Sequence, residues 1–155
     1  MYYWGSRGNA ITSEPTPFKG IMGLSIVQVA CGPRHMAMLT ETGTVWTEGE
    51  GIYGALGHAS KEDKNNPELV SNIKNINMKE ISCGSTFTCA LSDCGNVYVW
   101  GTLKWTGEVL PPSRVVFLDR VFISSIACGS RHILVLTKTG QVYSWGDNTY
   151  GQLGR

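Results

Sequence analysis

"SRHILVLTKTGQVYSWGDNTYGQLG", residues 130–154, repeats the residue types of "PRHMAMLTETGTVWTEGEGIYGALG", residues 33–57, in the same order. Anchoring both on the Cys-Gly pair that precedes them brings out a third copy. The copies are "VACGPRHMAMLTETGTVWTEG" (29–49), "ISCGSTFTCALSDCGNVYVWG" (81–101) and "IACGSRHILVLTKTGQVYSWG" (126–146). Spacing within a copy is fixed. Cys31 to Gly43, Cys83 to Gly95 and Cys128 to Gly140 each span 12 positions, and Gly49, Gly101 and Gly146 follow 6 later. Between copies the period is 52 and then 45 residues. At the start, "YYWGSRG" (2–8) matches the end of a unit. Self-similarity at periods of about 20–50 residues marks a solenoid, a propeller or an array.

Residue types choose between helix and strand. "MAML", "CALS" and "ILVL" are short apolar runs, and "NVYVW" and "QVYSW" are rich in valine and aromatics. The connectors "TETG", "SDCG" and "TKTG" each end in a glycine that supplies the positive φ of a hairpin turn. No copy holds a stripe of helical period over 10 or more residues, which argues against a helical solenoid. A further β-like run precedes each Cys-Gly: "SIVQVAC" (25–31), "MKEISC" (78–83) and "VFISSIAC" (121–128). "PELVSNI" (67–73) and "SRVVFL" (113–118) are candidate fourth strands. The expected fold is all-β: propeller blades of four-stranded antiparallel sheets in an incomplete ring of about three blades. The chain is read as one repeat domain over 1–155. Residues 1–8 end a blade as a ring-closing strand; 25–57, 78–107 and 121–154 are repeats one to three; 58–80 is a polar linker.

Bulk properties narrow the function classes. The chain has 155 residues, 42% of them hydrophobic and 16% charged, and a net charge of +1. That balance gives no electrostatic basis for binding nucleic acid, chromatin or an anionic membrane. No apolar run approaches the roughly 20 residues of a membrane helix, and the start lacks the pattern of a secretory signal. Five cysteines, an odd number, with no N-x-S/T acceptor, argue for a reducing compartment. A cytoplasmic location is expected, with the nucleus as the alternative.

The composite pattern is A/S-C-G-x-x-H, then L-T-x-x-G-x-V-Y-x-W-G-x-N-x-x-G-Q-L-G. It resembles the repeat of the regulator of chromosome condensation family, whose members fold as seven-bladed propellers. The resemblance runs from Trp4 to Gly154. Copy one departs from it with Glu48 in the slot of Trp100 and Trp145, and copy two with Phe87 in the slot of His35 and His132. In copy two, "TLKWTGEVLPPSR" (102–114) also replaces the "YGQLG" tail. Seven blades need roughly 350 residues, so the "YYWG" opening is read as a natural start and "YGQLGR" as an interruption. Large ubiquitin ligases of the propeller-plus-HECT type are similar in opening almost at once with a Trp-Gly pair.

Candidate sites reduce to structural positions. Cys31, Cys83 and Cys128 occupy one equivalent place in three blades, which suits a small buried residue beside a strand-ending glycine better than a metal ligand. Cys89 and Cys94 flank a hairpin without a second pair. His35 and His132 recur once per blade, so a hydrogen bond ordering a turn is expected rather than catalysis; His58 has no identified partner. Trp4, Trp46, Trp100 and Trp145 are read as packing aromatics. The structural set is Cys31, Gly32, His35, Gly43, Gly49, Cys83, Gly84, Gly95, Trp100, Gly101, Cys128, Gly129, His132, Gly140, Trp145 and Gly146.

Phosphate-cradle, nucleophile-elbow and zinc-protease motifs do not occur. No catalytic, cofactor-binding or metal-binding residue is assigned. Residues 58–80 carry 8 of the 25 charged residues and lengthen the first period. They read as a solvated loop in which "SKED" starts a helical turn, or as a partner-binding insertion centred on Lys61, Glu62, Asp63 and Lys64. The expected function is a non-catalytic protein-interaction scaffold, part of a larger regulatory protein such as a propeller-plus-HECT ubiquitin ligase. The alternatives are guanine-nucleotide exchange on a small GTPase, the activity that the resemblance implies, and self-association of short chains to close a ring.

Overall fold

The computed structural model describes residues 2–7, 10–103 and 108–155. The expected all-β architecture is present as a row of sheets, every pairing antiparallel. Strands β1 (Tyr2–Arg7) and β2 (Ala10–Pro17) form a two-stranded sheet. Blade one follows as β3 (Ile26–Cys31), β4 (His35–Thr40), β5 (Val45–Gly49) and β6 (Lys64–Leu69), in sequence order. Blade two has the same order in β7 (Met78–Cys83), β8 (Phe87–Ser92), β9 (Val97–Thr102) and β10 (Val109–Arg114). Blade three contains β11 (Ile123–Cys128), β12 (His132–Thr137) and β13 (Val142–Gly146), three strands rather than four.

Each motif found in the sequence is one local solution repeated. In the L-T/S-x-x-G turn, Gly43, Gly95 and Gly140 take φ of 78°, 79° and 84°, a region open to glycine. Thr40 Oγ1 and Thr137 Oγ1 accept the N–H groups of Thr44 and Gln141, both at 3.0 Å, and Ser92 Oγ accepts that of Asn96 at 3.1 Å. At the Cys-Gly turn, the N–H of Gly32 reaches the carbonyl of His35 at 2.8 Å, with counterparts at Gly84–Phe87 and Gly129–His132. The ring four residues after each cysteine lies on the bare glycine: a Cβ on Gly32 would stand 2.7 Å from His35 Cε1. Phe87 and His132 lie on Gly84 and Gly129 in the same way, so the Phe-for-His change keeps the turn.

Apolar cores lie between sheets rather than within them. Leu39, Val45, Ile73, Met78, Ile81 and Trp100 fill the junction of blades one and two. Phe87, Leu91, Val97, Ile123, Ile133 and Val135 fill that of blades two and three. Phe18, Ile21 and Met38, with Tyr3 packed edge-on to Phe18, join the two-stranded sheet to blade one.

The reading of 58–80 as a solvated loop is corrected. The segment contains β6, a 3-10 turn (Ser71–Ile73) and the start of β7, and it buries Pro67, Val70, Ile73 and Met78. The fourth strands are β6 and β10, a few residues earlier than "PELVSNI" and "SRVVFL"; the second half of each quoted run instead forms the 3-10 turn. These outer strands carry prolines, which an edge tolerates because its outward N–H needs no partner. "SKED" forms no helical turn. The expected buried role of the repeat cysteines fails at Cys31, which is exposed, while Cys83 and Cys128 are partly buried. Of the altered tail of copy two, residues 104–107 lie outside the described residues, as do residues 1 and 8 of the opening segment.

Candidate functional site

The segment between β5 and β6, residues 50–63, shapes the rim between blades one and two. Arg34 pairs with Glu50 at 2.9 Å at its base. The N–H of Gly51 donates to Asp63 Oδ1 at 2.9 Å and draws the two arms of the loop together. Inside it, Thr47 Oγ1 donates to the carbonyl of Leu56 at 2.7 Å and accepts from His58 Nε2 at 3.0 Å. Burial lowers the pKa of His58, favouring the neutral ring.

The loop docks on blade two through backbone carbonyls. Ala55 O accepts from both Trp100 Nε1 and Thr88 Oγ1, each at 2.8 Å, and Tyr53 O accepts from Thr102 Oγ1 at 2.9 Å. Because the Thr88 hydroxyl donates to Ala55, His35 Nε2 is the donor in its 2.9 Å contact with Thr88 Oγ1. His35 therefore links two blades as well as covering its own turn, and burial pushes its pKa down to about 4. Trp100 is fully buried, as expected of a packing aromatic.

A second tie between blades lies one layer in. Gln28 gives its Nε2–H to the carbonyl of Ile81 at 3.0 Å and takes the N–H of Ile81 on Oε1 at 2.9 Å. Glu80, at the same place in blade two, accepts from Ser125 Oγ at 2.9 Å and Ile126 N at 3.2 Å. The sequence reading missed both. Their only signal is a polar residue three positions before each repeat cysteine: Gln28, Glu80 and Ser125.

The four rim residues singled out from the sequence have different surroundings. Lys61 and Glu62 are exposed, whereas Asp63 holds Gly51 and Lys64 begins β6 with a 2.8 Å bridge to Glu68. A groove of about 240 Å³ opens beside Lys61, walled by Gly57 and Ser60 on one side and Val109, Leu110 and Pro111 on the other. At the equivalent tail of blade three, Ser144 Oγ donates to Leu153 O at 3.0 Å, and Asn148 Oδ1 accepts from Leu153 N at 3.0 Å. Trp145 is stacked edge-on with Phe117, the centroids 5.1 Å apart, and Trp4 is exposed.

Among the described residues, no group of three His, Cys, Asp or Glu side chains could hold a metal ion. No helix among them is long and apolar enough to cross a membrane. The Cys83 thiol donates to the carbonyl of Ala30 at 3.4 Å, and burial raises its pKa to about 12, far from a reactive thiolate. What the rim can do chemically is present backbone, a cation and a shallow apolar groove.

Models described as the regulator of chromosome condensation (RCC1) repeat match residues 26–54 and 123–152 in one case and 42–91 in another. Over 112 residues the chain is 36% identical to E3 ubiquitin-protein ligase HERC2 of Homo sapiens, covering 65% of this chain and 2% of that protein. It is 32% identical over 112 residues to RCC1 domain-containing protein RUG3, mitochondrial, of Arabidopsis thaliana, covering 67% and 25%. The chain thus spans a quarter or less of these curated relatives. Human WBSCR16 superposes with a TM-score of 0.83 at 26% identity, over 99% of this chain and 44% of that one. Prp20p of Saccharomyces cerevisiae, described with its binding properties to Gsp1p and histones, gives 0.82 at 26%, over 99% and 42%.

Proposed function

The chain belongs to the regulator of chromosome condensation (RCC1) repeat family, and from that premise we propose that it is a non-catalytic protein-interaction scaffold. The observation that carries this reading is the rim loop 50–63. The copy containing it runs 52 residues to the next rather than 45, and the loop is anchored by Asp63 and Ala55 while Lys61 and Glu62 point outward. A rigid base with outward charged side chains suits recognition of a protein surface. Prp20p, with its binding to Gsp1p and histones, shows a similar propeller serving protein partners. The similarity to HERC2 supports a place within a larger regulatory protein of the ubiquitin-ligase kind.

The test is capture of partners by the full chain and by a variant carrying Lys61→Glu and Glu62→Lys. Both should melt alike, since both side chains are exposed. A defined protein held by the unaltered chain and lost by the variant is expected; identical captures would remove the rim from the reading.

The likeness to Prp20p favours a second reading, guanine-nucleotide exchange on a small GTPase. Release of a fluorescent guanine nucleotide from a panel of small GTPases decides it. Absence of acceleration by the full chain eliminates exchange and leaves the scaffold reading in place.

A further inference from the structure

Two thiols that the scaffold does not use face each other across the junction of blades two and three. Cys89 is fully buried in β8, and Ser82 is its direct cross-strand partner in β7. Directly opposed residues present their side chains on one face of a sheet. Blade three meets that face through Cys128, whose backbone N–H donates to Ser82 Oγ at 3.0 Å. Cys128 also packs against the core cluster that contains Cys89. The other thiols are placed elsewhere: Cys83 donates to Ala30 O, and Cys31 and Cys94 are exposed.

We propose that Cys89 and Cys128 are a redox-sensitive pair that closes into a disulfide joining blades two and three. Cys128 is partly exposed and Cys89 is not, which fixes the order of events. The Cys128 thiolate attacks a low-molecular-weight disulfide such as oxidised glutathione, forming a mixed disulfide and expelling one thiolate. Cys89, having given up its proton, then displaces the second thiolate from Cys128. Two protein thiols are oxidised and one small disulfide is reduced to two thiols, so electrons and protons balance. The neighbouring Cys89 thiol and Ser82 hold the Cys128 thiol below its ordinary pKa, in line with the attacking role that its exposure gives it. The same contact, followed by burial, raises Cys89, so the resolving step waits on loss of its proton.

The experiment treats the native full chain with oxidised glutathione, then blocks free thiols and maps peptides by mass spectrometry without reduction. The expected product has lost two hydrogens, links the peptides containing Cys89 and Cys128, and reverts with dithiothreitol. Closing a loop of about 40 residues should raise the thermal midpoint by roughly 5–10 °C. The Cys89→Ala variant should stop at a glutathione adduct on Cys128; if that variant does not fold, the map of the unaltered chain decides alone. A lasting adduct on Cys128 in the unaltered chain, a link between other cysteines, or no reaction at Cys128 would each overturn the proposal.

Discussion

His35 shows how much one side chain is asked to do. Its ring covers Gly32, its Nε2–H reaches Thr88 in the next blade, and burial holds its pKa near 4. In the unfolded chain the same imidazole titrates near 6.5. As pH falls below about 6.5 the unfolded chain takes up the proton first, so stability declines, and the decline levels off below about 4. The full difference is on the order of 3 kcal/mol. A His35→Phe variant should lack this component, giving urea midpoints that change less between pH 7 and 4.5 than those of the unaltered chain. Equal dependence in both would show that His35 is not buried neutral. At neutral pH the same change should cost about 1 kcal/mol, because Thr88 keeps its bond to Ala55. Trp100 marks the other half of the junction. Trp100→Phe should cost about 1–2 kcal/mol for the lost indole N–H, and Trp100→Ala about 3–5 kcal/mol, both read by urea denaturation.

At the level of strands and turns, the hairpin glycine and the strand-end glycine of the repeat differ in what surrounds them. Gly101 has φ of 103°, and a Cβ there would stand 2.5 Å from Thr86 O and 2.8 Å from Phe87 Cα. Gly140 has φ of 84° with nothing within 4 Å. Alanine at Gly140 should cost about 1–2 kcal/mol, the backbone term alone. At Gly101 it should cost more than about 3 kcal/mol, because backbone must move. Comparable midpoints for the two variants would contradict this placement. Gln28 offers a test between blades: Gln28→Ala strands both backbone groups of Ile81, and amide exchange at Ile81 should quicken by about 10-fold or more. The hairpins could be read in the sequence because their glycines and Thr/Ser hydroxyls act within four residues. The bounds of the outer strands could not: "KNNPEL" and "VLPPSR" are polar or proline-bearing, and they are strands only because β5 and β9 offer an edge. The tie at Ala55 was equally hidden, since the acceptor is a carbonyl, which any residue supplies.

Across the whole molecule, stability and recognition are arranged on different parts of the blades. Apolar cores and buried ties run between sheets, so each blade depends on its neighbours. The two ends of the sheets carry different chemistry. On the side of the L-T-x-x-G turns, Lys79 and Lys138 lie over the ring of Phe122, at 5.6 and 5.5 Å. The opposite rim carries the anchored loop with Lys61 outward. Repeat architecture was legible because it is written three times; the use of the rim was not, because Lys61 and Glu62 fall outside the stretch that the copies share. The Cys89–Cys128 contact was hidden for a related reason, since only one of the two cysteines belongs to the repeat pattern. Lysine cross-linking of the full chain to a captured partner, read by mass spectrometry, tells the two faces apart. The interaction reading predicts cross-links at Lys61. Cross-links confined to Lys79 and Lys138 would place the partner on the opposite face and contradict it.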